Sequence, residues 1–228
     1  MIKIQIKILY SLIVLFTINS SAQTNIATYK LSLIEEDHYD ELWAVAEEDA
    51  QTNNFYLIFD KDYSLFTSDN TILGRTGMSN AFSNTINEII FDNIQKSYYT
   101  EKTISKIREI YCIKRRDLVE WQITDEKKEI NGIECYRALG VLKSFDKVGN
   151  YRIDAWFAPS IPYSYGPGYF NGLPGLIMMA MDSNRYFFSL SEIHFNVQVD
   201  KRSKPIPERI CKKNVITYKE YIAKLSEI

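Results

Sequence analysis

Residues 155–177 read AWFAPSIPYSYGPGYFNGLPGLI. An apolar strand end, Ala155 to Ala158, runs into a stretch where Pro159, Pro162, Pro167 and Pro174 alternate with Gly166, Gly168, Gly172 and Gly175. Proline fixes φ and glycine admits φ values closed to other residues, so this density predicts a loop with one intended path. Tyr163, Tyr165, Tyr169 and Phe170 ride on it. Stiff aromatic side chains on a preset loop suit packing across the end of a sheet or stacking on a ligand.

The flanks of the loop decide the fold class. Tyr151 to Ala158 enters it and Leu176 to Met181 leaves it, both with strand character. Outward from there, Ile133 to Leu142 precedes a turn at Asp146 to Asn150, and Tyr186 to Val197 follows a turn at Asp182-Ser183-Asn184. Further upstream lie Leu118 to Thr124, Ile104 to Ile113, and the hairpin Asn54 to Phe66 turning at Asp60-Lys61-Asp62. Asp125 to Asn131 reads as a charged turn closing on Asn131-Gly132, and Thr24 to Ile34 alternates as a strand. From Ile104 to Val197 the strands are separated by short polar turns with no long helical pattern between them, which favours an antiparallel meander over βαβ units. Sixteen Tyr and twelve Phe agree with strands. Two helices are expected. Phe82, Ile86, Ile89, Ile90 and Ile94 have helical spacing. At the C-terminus Thr217 and Glu220 form a capping box ahead of the stripe Tyr218, Tyr221, Ile222 and Leu225. Lys201 to Pro207 reads as a loose loop.

The composition of the 228 residues, 46% hydrophobic and 25% charged, excludes a disordered chain. Net charge is −2, which argues against nucleic acid as a partner. Residues 1–22 carry Lys3 and Lys7, an apolar run Ile8 to Ile18, and Ser20-Ser21-Ala22, the three parts of a cleavable secretory signal peptide. The run is shorter than the roughly 20 apolar residues needed to span a bilayer. The expectation is an exported chain with residues 23–228 as a single domain and no transmembrane span after cleavage. Cys112, Cys135 and Cys211 lack C-x-x-C spacing. They read as buried thiols, with one disulfide among the three as the alternative and the pair left open.

Gly172-Leu173-Pro174-Gly175-Leu176-Ile177 is the hexapeptide GLPGLI, and the chain resembles the family of exported Bacteroidetes-type proteins named for it. The resemblance takes in Trp121-Gln122-Ile123, Ile130-Asn131-Gly132, Cys135-Tyr136-Arg137-Ala138, Ala155-Trp156-Phe157, Ile161-Pro162 and Gly166-Pro167. It runs from about Leu57 to Phe188 and departs where members carry Gly-Arg and this chain has Gly149-Asn150, with Arg152 nearby. It implies an exported β-rich protein without an established activity. Some such domains are similar to the bowl-shaped accessory part that precedes the catalytic part of bacterial peptide N-glycosidases. The expected fold is therefore mainly β: one antiparallel, curved sheet, bowl or half-barrel-like, with a C-terminal helix and one further short helix.

Chemical motifs are few. The glycines at 166–175 are followed by no Lys-Ser or Lys-Thr, and Ser164 lies in Tyr-Ser-Tyr rather than in a nucleophile elbow. His38 and His194 are too few for a metal centre, so no metal and no cofactor are expected. The acidic run around His38 reads as a solvated turn, and His194 as an exposed strand residue. Asp154, Asp182 and Glu192 lie near the loop, and Asp154 shares a strand face with Trp156. Trp43, Trp121 and Trp156 read first as sheet packing. The hexapeptide 172–177 reads as a structural turn into the next strand. The leading functional expectation is a non-catalytic envelope or surface module with Trp156, Tyr163, Tyr165, Tyr169 and Phe170 as its contact face. Its partner would be a glycan, a hydrophobic ligand or an outer-membrane protein. A hydrolase would show carboxylates converging about 5–10 Å apart, and a hydrophobic-ligand carrier a dry cavity of several hundred Å3.

Overall fold

The computed structural model describes residues 24–33, 47, 50, 52–68, 88–116, 119–143, 150–182, 186–198 and 206–227. Its strands are β1 (Thr24–Leu33), β2 (Phe55–Phe59), β3 (Tyr63–Ser68), β4 (Ile89–Asp92), β5 (Ser97–Ile104) and β6 (Glu109–Arg115). They continue with β7 (Glu120–Ile130), β8 (Ile133–Lys143), β9 (Asn150–Ala158), β10 (Leu176–Asp182), β11 (Tyr186–Val197) and β12 (Val215–Thr217). Two helices, α1 (Ile206–Arg209) and α2 (Tyr218–Ser226), flank β12. The strands form one sheet in the order β12-β6-β5-β4-β3-β2-β1-β11-β10-β9-β8-β7, antiparallel throughout except for β12 beside β6. The expected mainly β architecture with a C-terminal helix is present, and the sheet is not closed.

Chain length forces this sheet to curl. β6 and β7 are consecutive in sequence but ten strand steps apart in the order. Laid flat, ten steps would separate them by about 48 Å at the usual spacing. The chain leaves β6 at Arg115 and enters β7 at Glu120, a reach of about 18 Å at most. The two ends must therefore approach, which leaves a concave inner face and a seam between β6 and β7. Alternation along β1 is strict, with Ala27, Tyr29, Leu31 and Leu33 all buried on the inner face. Phe55 and Leu57 of β2, Phe66 of β3 and Phe188 of β11 join them in one core. Phe66 and Phe188 meet edge to face at 5.5 Å, the favoured geometry for aromatic pairs.

The 159–175 loop packs inside the curl. Tyr165, Phe170, Asn171 and Leu173 are buried. The Tyr165 ring lies between Phe59 (5.8 Å) and Phe91 (6.2 Å), and its hydroxyl donates to the Lys61 carbonyl at 3.1 Å. Backbone bonds from Leu176 N to Ile161 O and from Ile177 N to Tyr165 O tie the loop to the strand it feeds. The Tyr29 hydroxyl, from β1, donates to the Ile177 carbonyl at 2.6 Å. Close backbone approach fixes two glycines. A Cβ on Gly175 would sit 2.3 Å from the Ala158 carbonyl oxygen, and one on Gly166 2.4 Å from that of Phe170.

The C-terminal segment wraps the exposed edge of β6. Ile206 packs on the outer face against Leu65, Ile90, Tyr99 and Cys112. Cys211 is disulfide-bonded to Cys112, β12 runs along the edge, and Tyr218 and Tyr221 of α2 pack on the inner-face residues Ile104, Tyr111 and Ile113. The capping box at Thr217 and Glu220 is present as expected. Such a wrap shields an edge that would otherwise pair with other chains. The reading of all three cysteines as buried thiols is corrected: Cys112 and Cys211 pair, as the alternative allowed, and only Cys135 remains a thiol. It is buried, and desolvation pushes its pKa up to about 11.

Four expectations about element positions are corrected. The helical spacing at 82–94 does not yield a helix over Ile89 and Ile90. Ile89–Asp92 is a strand covered on both faces, and a short apolar run of that kind fits either reading until neighbours are known. Ile94 lies in the following turn, and Phe82 and Ile86 lie outside the described residues. The charged stretch 125–130 is not a turn but the second half of β7, whose register shifts between Ile123 and Lys127, so only Asn131-Gly132 turns. The run 104–113 divides at a turn over residues 105–108. The second short helix is α1, at the end of the stretch expected to be loose.

Two stability measurements test this arrangement. The 99-residue separation of the disulfide makes its loop-closure contribution large. Replacing Cys112 and Cys211 with Ser should lower unfolding free energy by about 2–5 kcal/mol in urea titrations. An unchanged midpoint would rule out the tether. Gly175→Ala should cost about 2–3 kcal/mol by overpacking against backbone. Gly168→Ala, at φ +61° with open space around it, should cost only about 1 kcal/mol.

Candidate functional site

The same loop divides the predicted contact residues between three environments. Tyr163 and Tyr165 pack on Phe59 of β2, and the Tyr163 ring meets it edge to face at 4.9 Å. Tyr169 and Phe170 line a cavity of about 160 Å3 within the curl. Trp156 lies on the opposite, outer face of β9, since it alternates with the inner-face residues Ala155 and Phe157. Tyr165 and Phe170 are buried, whereas Trp156, Tyr163 and Tyr169 are half-buried. Within the hexapeptide, Leu173, Gly175, Leu176 and Ile177 are buried, and Gly172 and Pro174 are exposed.

The cavity is built from strands distant in sequence and from the loop. Leu31 (β1), Phe66 (β3), Ile89 (β4) and Phe188 (β11) are its buried walls, with Phe170 from the loop. The half-buried Leu142, Gly168, Tyr169, Asp182 and Tyr186 line its solvent side. Asp182 faces inward because it pairs with Ile153 and Tyr186, both inner-face positions. A register shift between Ile177 and Met179 sets this alternation, so that Ala180 and Asp182 share the inner face. Asp182 Oδ1 is shielded from solvent and has no hydrogen-bond partner among the described residues. Buried polar atoms are nearly always partnered, so this one asks for a donor.

A relay of hydrogen bonds holds the loop across the seam. Trp121 Nε1 of β7 donates to the Asn171 carbonyl at 2.9 Å. Asn171 Nδ2 donates to the Tyr98 hydroxyl of β5 at 3.2 Å, and that hydroxyl donates to the Tyr169 carbonyl at 2.7 Å. Asn171 Oδ1 accepts from Gly166 N at 3.0 Å. Burial raises the Tyr98 and Tyr165 pKa values well above the usual phenol range, so both stay neutral donors. The Arg115 guanidinium stacks between the Tyr169 and Tyr218 rings, 4.7 and 5.0 Å from their centroids, linking the loop to α2.

A separate polar cluster occupies the outer face. Arg137 pairs with both Asp154 and Glu126, and these two carboxylates hold its pKa above the ordinary guanidinium value. Lys128 Nζ lies 4.1 Å from the Trp156 ring. Asp154 and Trp156 do share a face, but the Asp154 oxygens are turned to Arg137. His194 is exposed beside Glu192. His38 and Trp43 lie outside the described residues. No group of three or more metal-binding side chains occurs among the described residues. No helix among them is long and apolar enough to cross a membrane. Asp182 stood out in the sequence only by its nearness to the loop. Leu31, Phe66, Leu142 and Phe188 gave no signal there beyond that of core residues.

A half-open sheet around a loop-lined cavity is the class of protein defined so far. A family model described as a protein of unknown function (Porph_ging) matches residues 142–179, the stretch from the end of β8 through the loop into β10. No curated protein matches. Solved structures of PNGF-II in the C2 and P21 space groups are similar in fold, each with a TM-score of 0.53 and 14% identity. The match covers 89% of this chain and 32% of the PNGF-II chain, so this chain spans about a third of its length.

Asn171→Ala should leave the Gly166 N–H without its acceptor and remove the bond to Tyr98. The expected loss is about 2 kcal/mol of stability by urea titration, with a red shift in Trp121 fluorescence. Wild-type stability in this variant would show that the relay does not hold the seam.

Proposed function

We propose that this chain is an exported, non-catalytic binding module of GLPGLI type, residues 23–228 forming one domain after removal of a signal peptide at 1–22. The observation that carries the reading is the cavity inside the sheet, apolar on most sides and lined by one carboxylate. Binding sites are typically apolar concavities with few, placed polar groups. At about 160 Å3 it is smaller than a lipid carrier needs, and near the volume that accepts a single benzene-sized group. The module would take one apolar group of a small molecule or a larger partner. Tyr169 and Phe170 serve as its contact residues.

Export is supported by the leader pattern of residues 1–22 and by the Cys112–Cys211 disulfide, which persists in oxidising compartments. The GLPGLI assignment is supported by the position of that hexapeptide within the segment matched by the family model. An accessory role accords with the fold likeness to about one third of PNGF-II. A hydrolytic role has less support: of Asp154, Asp182 and Glu192, Asp154 is engaged by Arg137, Glu192 is exposed beside His194, and only Asp182 lines the cavity.

The neutral alcohol 3,3-dimethylbutan-1-ol is a suitable probe for the cavity. Ligand-observed NMR should detect binding with a dissociation constant on the order of 1 mM. Leu142→Trp, which fills the cavity from β8, should abolish it while circular dichroism shows the sheet intact. Absence of binding to the wild type both by this alcohol and by choline, its charged isostere, would overturn the cavity as the site.

A further inference from the structure

The aromatic lining points to a more specific chemistry than apolar size alone. Phe66, Tyr169, Phe170, Tyr186 and Phe188 contribute five rings to one small cavity. Ring faces carry negative electrostatic potential and attract cations, and rings gathered around a space are the known means of holding alkylammonium groups. Asp182 stands among them, with Oδ1 buried and unpartnered. Among the described residues, no Lys, Arg or His lines the cavity to neutralise it. The rings and the carboxylate thus favour the same ligand sign. A neutral apolar group would fill the volume but gain nothing from the half-buried carboxylate, whereas a cation would be attracted by it.

We propose that the cavity is a cage for an alkylammonium group, methylated or primary, on a short apolar stem, with Asp182 as counter-ion. This rests on the cavity being the binding site, and deepens that reading by naming the ligand class. The ammonium would lie against the Phe188 and Tyr186 rings within reach of the Asp182 carboxylate, since the Tyr169 ring already carries the Arg115 guanidinium. No covalent step is involved.

Choline and 3,3-dimethylbutan-1-ol have nearly the same shape and differ by one positive charge, so the pair separates charge from volume. Wild-type protein should bind choline at least about tenfold more tightly than the alcohol, the combined worth of cation–π contact and attraction to the carboxylate, since a trimethylammonium has no N–H to donate. Asp182→Asn should cut the ratio of choline to alcohol affinity several-fold, read from both dissociation constants in the same variant. Phe188→Leu should weaken choline more than the alcohol. Phosphatidylcholine vesicles form a further arm. Co-sedimentation that free choline competes away would place the ammonium on a lipid headgroup, and binding of free choline alone would place it on a soluble molecule. Either result upholds the cage. Equal affinity for choline and the alcohol, or an unchanged preference in Asp182→Asn, would overturn the cage and leave the cavity reading standing. Failure of both ligands to bind the wild type would overturn both.

Discussion

A short covalent link between the two farthest-separated members of an eleven-strand run is the constraint on which the rest depends. Because Arg115 and Glu120 are only five residues apart, the wall of strands has to bend back on itself. Bending alone does not close it, since β6 and β7 do not pair. The gap is spanned from within by the loop, through Trp121 on one side and Tyr98 on the other, both bonded to Asn171. The loop is thereby a strut. Its prolines and glycines give it a shape that ordinary residues could not hold so close to Ala158 and Phe170. Its aromatic side chains supply the apolar surface that an interior needs.

That strut also determines where empty space remains. Tyr163 and Tyr165 fill the end of the curl near the β2–β3 turn, against Phe59 and Phe91. Tyr169 and Phe170 stop short of the other end, where Leu31, Phe66 and Phe188 face them across a cavity. Architecture and recognition are carried by adjacent residues of one loop. Arg115, stacked on Tyr169 and on Tyr218, extends the connection to the C-terminal helix. The cavity wall, the loop and the wrapped edge are consequently in physical contact, although their residues lie far apart in the chain.

Much of the wall was legible in the sequence because alternation and turn residues are local signals. β1 alternates along its whole length, and the β2–β3 hairpin turns at Asp60, whose Oδ1 accepts from Asp62 N and Tyr63 N. The capping box at Thr217 was legible for the same reason. Misread segments are those whose state depends on distant neighbours. β4 is apolar on consecutive residues because the core lies on one face and Ile206 packs with Ile90 on the other, and neither partner is close in sequence. The charged half of β7 is strand because β8 pairs with it across Asn131-Gly132, which overrides its polar composition. Of the cavity, the loop side was visible as clustered aromatics. The strand side was not, because Leu31, Phe66, Leu142 and Phe188 become neighbours only through the strand order.

The position of β1 has a consequence for how the molecule is made. β1 sits in the middle of the order, between β2 and β11, with Thr24 opposite Val197 and Leu33 opposite Tyr186. β1, the first strand among the described residues, therefore waits for β11, more than 150 residues later in the chain, before both its edges are paired. Closing so long a loop carries an entropic cost before any of the ladder is gained. Until then an apolar strand presents a free edge that other chains can join. A chain shortened before Tyr186 would lose a strand from inside its wall rather than from its margin, leaving β1 and β10 each with an unpaired edge.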